Sequence, residues 1–404
     1  MRLLAFLALL GLTVFAAAHA GDPAAGGMTR AEAYRQARIL TALGKRLFFD
    51  PSLSASGRQA CATCHDPAHG LGPPNDRAVQ LGGKDLTAPG IRAVPTLKYL
   101  QSVPQFSEHY YEGDEEGDAS VDNGPTGGLT WDGRVDRGRD QARLPLMSPY
   151  EMANGGPDDV VAAVRRSPLG AAFGRAWRVI GGDPFALITK ALEAYEESAQ
   201  DFYPYSSKYD AWLNGKATLS PAEARGLALF EAPEKGNCAH CHKSRPDLDG
   251  SPPLFTDFGF VALGVPRNPD IPANRDKDYY DLGLCGPVRT DLADHPDYCG
   301  MFKAPTLRNV ALRTTFFHNG VFHSLKQVME FYAQRDTDPG KWYPKRPDGT
   351  VRKFDDLPAR YRDNVDVEPP LDRQEGDKPA LDDGEIADII AFLGTLTDGY
   401  RGAR

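Results

Sequence analysis

The chain has 404 residues, with 46 basic against 55 acidic side chains and a formal charge of −9, a length that suits two domains of ordinary size. An acidic surface argues against nucleic acid and against anionic lipid as partners. Glycine and proline are plentiful, 41 and 33 residues, so much of the chain is expected in loops.

Residues 1–20 read as a secretory leader: Arg2 supplies the positive end, an apolar stretch follows, and Ala18-His19-Ala20 is an A-x-A cleavage site. The apolar stretch is too short to span a membrane and no later segment qualifies, so the mature chain is not expected to cross one. A helix is expected over residues 31–49, closing on Gly44-Lys45-Arg46-Leu47-Phe48-Phe49-Asp50, and Cys61-Ala62-Thr63-Cys64-His65 comes next. Residues 112–128, acidic and glycine-rich, read as an irregular surface stretch. A helix over residues 184–199 closes the first half, and the boundary is placed near residues 203–215, giving domains at 21–205 and 206–404.

The second half repeats the plan. Ser220 is an N-cap and Pro221 the first helical residue of a segment that runs to Gly226-Leu227-Ala228-Leu229-Phe230. Cys238-Ala239-His240-Cys241-His242 follows. Each half therefore carries a helix with G-x-x-L-F ahead of a C-x-x-C-H pentad. Cys285 and Cys299 would close a loop of about 15 residues if bridged, worth on the order of 3 kcal/mol in an oxidising compartment. Residues 339–382, rich in Pro, Asp and Arg, read as a second solvated insertion. The last helix, over residues 383–396, puts Ile386, Ile389, Ile390 and Leu393 on one face. Strand signals are few, so the fold is expected to be mainly α, with two cytochrome c-like domains.

C-x-x-C-H is the attachment site of c-type haem. Both thiols add across porphyrin vinyl groups, and the histidine that follows becomes an iron ligand. Cysteine and histidine are rare here, 6 and 9 residues, so two such pentads are not an accident of composition. A zinc site would need four ligands close together. The separation of the pentads instead matches two domains with one haem each, held by Cys61, Cys64 and His65 and by Cys238, Cys241 and His242. Haem attachment takes place outside the bacterial cytoplasm, which with the leader points to the periplasm.

Trp131-Asp132-Gly133-Arg134, the run from Gln141 to Glu151-Met152 and Pro305-Thr306-Leu307-Arg308-Asn309-Val310 add a more specific pattern. With Phe317-His318-Asn319-Gly320 and Leu325-Lys326-Gln327, in this order, the chain resembles the bacterial di-haem cytochrome c peroxidase/MauG superfamily over essentially its mature length. The resemblance implies that Glu151 is the acid/base of the peroxide pocket, with Gln141 beside it. It implies that Trp131 lies between the haems. It implies that the second iron takes its far ligand from the 325–332 helix, at Tyr332 as in the MauG branch, with Met329 the alternative three residues away. A phenolate is a hard anionic donor that favours high oxidation states, whereas Met raises the potential. No histidine stands in the 78–83 neighbourhood, where peroxidases that need reductive activation carry one. His69 is expected to face solvent or a propionate, and His109 is the other candidate before the second pentad. The first iron is thus expected to keep an open position.

The family's calcium site uses an Asn in R-N-x-P and carbonyls in T-x-P. Here those stretches read Arg92-Ala93-Val94-Pro95 and Arg313-Thr314-Thr315, so calcium is not expected and Arg313 stands where the cation would be. The function the resemblance implies is reduction of hydrogen peroxide with electrons from a small cytochrome c or cupredoxin, through a high-valent state shared by both haems. Two alternatives stay open: oxidation of side chains of a partner protein, as MauG performs, and plain electron transfer. Members are often homodimers, although no patch of this chain reads as an interface.

Overall fold

The computed structural model describes residues 28–111 and 120–402. The expected leader and residues 112–119 of the acidic stretch lie outside the described residues. In chain order the α-helices of six or more described residues are α1 (Arg30–Phe48), α2 (Gly138–Met147), α3 (Pro157–Arg166), α4 (Gly170–Ile180), α5 (Pro184–Glu196), α6 (Lys208–Leu213), α7 (Pro221–Glu231), α8 (Leu325–Gln334) and α9 (Asp383–Gly394). Two short antiparallel ladders accompany them. β1 (Leu81–Gly82) pairs with β2 (Ala88–Pro89), and β3 (Phe260–Val261) pairs with β4 (Phe302–Lys303), Phe260 opposite Lys303. The chain is helix-rich with few strands, as the sequence implies.

The repeat seen in the sequence has a packing cause. α1 crosses α5 at Gly44, where a Cβ would stand 1.7 Å from the carbonyl oxygen of Ala191. α7 crosses α9 at Gly226, where a Cβ would stand 2.0 Å from the carbonyl oxygen of Asp388. Glycine at these two points lets helix backbones meet. The phenylalanine four residues on then enters the core edge-on: Phe48 against Tyr195 and Phe202, Phe230 against Phe255 and Phe392. The helix starts are also chemically marked. Ser220 and Glu223 form a reciprocal capping box on α7, and Asp382 and Glu385 form one on α9.

One core runs from Leu43 to Phe202 and a second from Tyr209 to Leu396. They are joined by a buried polar knot. Arg308 makes a two-pronged pair with Asp210 at 2.9 and 3.0 Å, and its guanidinium lies under the rings of Tyr99 and Tyr205. Tyr99, from the first half, donates its hydroxyl to Asp398 at 2.6 Å. Cys285 and Cys299 are bonded, bracing the loop that leads into β4.

Two sequence expectations need correction. α5 stops at Glu196 rather than continuing to residue 199, because the chain turns at Glu197 and Ser198 before a separate short helix, Ala199–Phe202. Residues 339–382 are not a solvated insertion: Tyr343, Leu357, Val365 and Leu371 are buried. Trp177 is 38% exposed with its indole N–H on Gly182 O, while Trp212 packs against the second core.

Candidate active site

A single cavity of about 680 Å³ is lined by both pentads. Its walls are mainly apolar. The first pentad forms one helical turn, Cys61–Cys64, and the second a 3₁₀ turn, Cys238–His240. In both, the histidine N–H returns to the carbonyl of the first cysteine, at 2.9 Å for His65 and 2.8 Å for His242. Each imidazole is then oriented through Nδ1, which lies 3.0 Å from Leu71 O in His65 and 2.8 Å from Phe255 O in His242. A carbonyl on Nδ1 fixes the tautomer and leaves Nε2 as the metal-binding nitrogen. Burial lowers the His65 pKa to about 4 and lowers that of His242, so both rings are neutral, the form a metal takes.

The donor set fits covalent haem. Burial pushes the Cys61, Cys238 and Cys241 thiols up to about 12 and raises Cys64 as well. None of the four is in a disulfide. Among the described residues no three His, Cys, Asp or Glu side chains gather as a metal site, so neither pentad has the further ligands that zinc requires.

At the first pentad's end the cavity is furnished with titratable groups. Glu151 sits in the turn that follows α2, held from three sides. Its N–H bonds Ser148 O, its carbonyl accepts from Gly83 N–H at 2.7 Å, and the neighbouring Met152 carbonyl accepts from Ala55 N–H. Gly82 is required there, since a Cβ would stand 2.3 Å from Tyr150 O and 2.7 Å from Glu151 Cα. The buried Asn154 amide ties the end of the turn to Leu53 O and Leu146 O, both at 2.8 Å. Burial raises the Glu151 carboxyl above its usual range, with Ser148 and Arg134 pulling the other way. Gln141, one helix earlier on α2, lines the same wall, as does Glu196 at the end of α5. Burial, then Glu193 and Glu197, push Glu196 to about 8.

Trp131 lines the same cavity. Its indole N–H donates to Ala93 O at 2.8 Å, and its carbonyl accepts from Lys303 N–H at 2.9 Å. Asp132 is fully buried beneath it and takes Arg92 at 2.6 Å and Arg134 at 2.7 Å. Burial alone would raise this carboxyl, but the two guanidiniums hold it at about 2. Arg92 also grips Asp281 of the second half at 2.6 Å, so the W-D-G-R turn is anchored to both halves. Phe302 and His318 stack in parallel at 3.5 Å on this wall.

At the second pentad's end much of the lining is apolar and aromatic, with Asp366 the cavity carboxylate that acts on Cys241 and Tyr332. Helix α8 turns Met329 and Tyr332, three residues apart, to the same side, and both line the cavity with Val328, Phe316, Phe317 and Leu393. Burial drives the Tyr332 phenol far above its usual value, and the thiols of Cys241 and Cys238 add to the shift.

A family profile for di-haem cytochrome c peroxidase matches residues 39–218. The methylamine utilization protein MauG of Paracoccus denitrificans is 34% identical over 93% of this chain and 92% of its own length. The chain belongs to the di-haem cytochrome c peroxidase/MauG family. Cytochrome c551 peroxidase of Nitrosomonas europaea is 29% identical over 71% of each chain. The crystal structure of the diheme peroxidase BthA from Burkholderia thailandensis superposes with a TM-score of 0.75 at 39% identity, covering 89% of this chain and 86% of that one. Like its family, the protein is a peroxidase-type oxidoreductase with two c-type haems.

The structure brings Glu151, Gln141, Trp131, Met329, Tyr332 and the cysteines and histidines of both pentads to the one cavity. His69 and His109 are elsewhere, paired with Asp66 at 3.1 Å and Asp122 at 2.6 Å and partly or largely exposed. Sequence reasoning passed over Glu196, Lys303 and His318 as cavity residues. His318 lay within the F-H-N-G landmark, which was the available signal. Nothing in the local pattern marks the other two.

Proposed function

We propose that this is a periplasmic peroxidase that reduces hydrogen peroxide to water with two electrons from a small cytochrome c or cupredoxin, the overall step being H₂O₂ + 2 H⁺ + 2 e⁻ → 2 H₂O. The haems, when bound, supply the iron that receives peroxide and the redox capacity for two electrons. The observation that carries this reading is Glu151, an enclosed carboxyl with a raised pKa on the wall it shares with His65. Peroxide must lose a proton from one oxygen and gain one on the other as the O–O bond breaks. A carboxylate oxygen of Glu151 takes the first proton and returns it to the departing oxygen. The Gln141 amide donates to the bound substrate and orients it. His65 and His242 would hold the two irons through Nε2, and Tyr332 would complete the second through its phenolate oxygen. Trp131, pinned by Ala93 O, provides the ring through which the two centres exchange electrons.

Calcium is not part of this scheme. Arg313 donates Nη2 to Val94 O at 2.7 Å, which places a fixed cation against a carbonyl of the 92–95 segment. No helix of the described residues is long and apolar enough to cross a membrane, in keeping with a peripheral electron donor. Oxidation of side chains on a partner protein is the second reading, favoured by the 34% identity to MauG.

The test is steady-state and stopped-flow mixing of the holoprotein with peroxide and reduced cytochrome c or cupredoxin. Fast, stoichiometric oxidation of two donor molecules per peroxide is expected. Slow donor oxidation, with a covalently altered partner protein, would transfer the assignment to the second reading.

A further inference from the structure

Arg313 belongs to the second half by chain and to the first by contact. It follows the 3₁₀ turn Val310–Leu312, yet its guanidinium donates Nη2 to Val94 O. The other terminal nitrogen, Nη1, is buried and has no hydrogen-bond partner. It abuts the loop that returns from His65, since a Cβ on Gly72 would lie 2.9 Å from it. Arg313 also lines the cavity that the two pentads share. No carboxylate of the described residues offsets its charge: burial is the one influence on this guanidinium. A buried cation without an anion is strongly unfavourable, and an arginine fork is shaped to receive a carboxylate.

The group that fills this cavity carries its own carboxylates. Haem has two propionates, its only anionic substituents, on the edge away from the vinyl groups that the cysteines capture. Arg313 lines this cavity from the side of the 92–95 segment, whose Val94 O it holds. His318 Nε2 is a second buried cavity nitrogen without a partner, and the His318 carbonyl accepts from Ala93 N–H of the same 92–95 segment.

We propose that Arg313 is a propionate-binding residue for the first haem, reaching across the two halves with Nη1 on a haem carboxylate and Nη2 on Val94 O. It thereby ties the second half to the first haem's acidic edge. Its positive charge also favours the reduced state of that iron over the oxidised one. The inference rests on the first pentad holding haem, which a haem count tests separately.

The experiment uses the holoprotein and its Arg313→Gln and Arg313→Lys variants, with spectroelectrochemical titration of both haems and resonance Raman spectra of the propionate bending modes. Two haems per chain by pyridine haemochrome establishes that the pentads are loaded in each variant. In Arg313→Gln the reduced-to-oxidised ratio of the first haem at a fixed potential should fall about tenfold, equivalent to about 59 mV for one electron. The second haem should move far less, a propionate mode should shift, and Arg313→Lys should restore most of the potential. An unmoved first-haem potential, or an equal shift of both haems, overturns the proposal. Should Arg313→Gln fail to fold, the Lys variant decides, because exchanging a guanidinium for an ammonium on the carboxylate must alter the propionate mode; an unchanged mode overturns the proposal as well.

Discussion

The two halves share a scaffold and differ in what they offer their haem. Around His65 stand Glu151, Gln141, Arg134 and Glu196; around His242 stand Met329, Tyr332, Phe317 and Leu393. The helix crossings at Gly44 and Gly226 are equivalent, and so are the histidine orientations through Leu71 O and Phe255 O. The first end therefore gathers enclosed acids beside its pentad. The second is more apolar and aromatic, with Asp366 the carboxylate that acts on Cys241 and Tyr332. Equivalent glycine crossings give the two halves one frame, and a handful of side chains makes them differ.

The sharpest way to break that comparison is to remove the proton-handling group. Glu151→Gln should lower kcat/KM for peroxide by about 10²–10⁴-fold while leaving both haems bound. The pH profile gives the sign. Glu151 must be ionised to take a proton from peroxide, so kcat/KM should fall as pH drops through its raised pKa. That acid limb should vanish in Glu151→Gln. A variant that keeps wild-type turnover and the limb would remove Glu151 from the scheme and make the two ends chemically equivalent.

The next largest effect concerns the second iron's far side, where α8 offers two donors. Tyr332→Phe should change the resting optical and EPR spectra of the second haem outright, because the oxygen donor is lost. Met329→Leu should leave them nearly as they are. The opposite pattern would assign the ligand to Met329 and make this end an ordinary relay. Smaller again are the scaffold effects. Gly44→Ala and Gly226→Ala should each destabilise by about 1–3 kcal/mol or more, since each forces a methyl group into a backbone carbonyl. Similar losses in the two variants, read from thermal unfolding, are what a true structural repeat requires.

Much of this was legible in the chain. The pentads, the G-x-x-L-F helices and the i, i+3, i+4, i+7 apolar face of α9 are local patterns, and local chemistry produces them: caps, helical spacing and thiols three residues apart. The bonded pair Cys285–Cys299 was likewise visible as the two cysteines left over. What escaped were residues that long-range packing brings to the cavity. Glu196 reads as one more acid at a helix end until α5 carries it to Cys61. Lys303 reads as a strand lysine until β4 buries it beside Asp132, where burial lowers it to about 7 against the pull of that carboxylate. Residues 339–382 have the composition of a solvated loop, yet Leu357 and Leu371 close the cavity wall. Composition records polarity on average, whereas burial is decided by a few apolar anchors within such a stretch.

The smallest expected effect tests how far the asymmetry reaches into stability. α5 ends at the cavity with Glu193, Glu196 and Glu197, whereas α9, its counterpart, presents Leu393 there. Burial first, and the two neighbouring glutamates second, lift Glu196 to about 8, well above the ordinary carboxyl value of about 4.3. Between those values the folded protein binds more protons than the unfolded chain, so stability must decline as pH rises, and the decline is complete above about 8. Glu196→Gln removes that dependence. Its melting temperature should match the wild type near pH 4 and exceed it progressively to a plateau above pH 8, by about 2–4 °C for each kcal/mol recovered. Leu393 has no proton to exchange, so no substitution at that position should reproduce the trend. If Glu196→Gln tracks the wild type at every pH, the carboxylate is solvated through the cavity mouth, and the acidic end of α5 is surface rather than part of the first haem's surroundings.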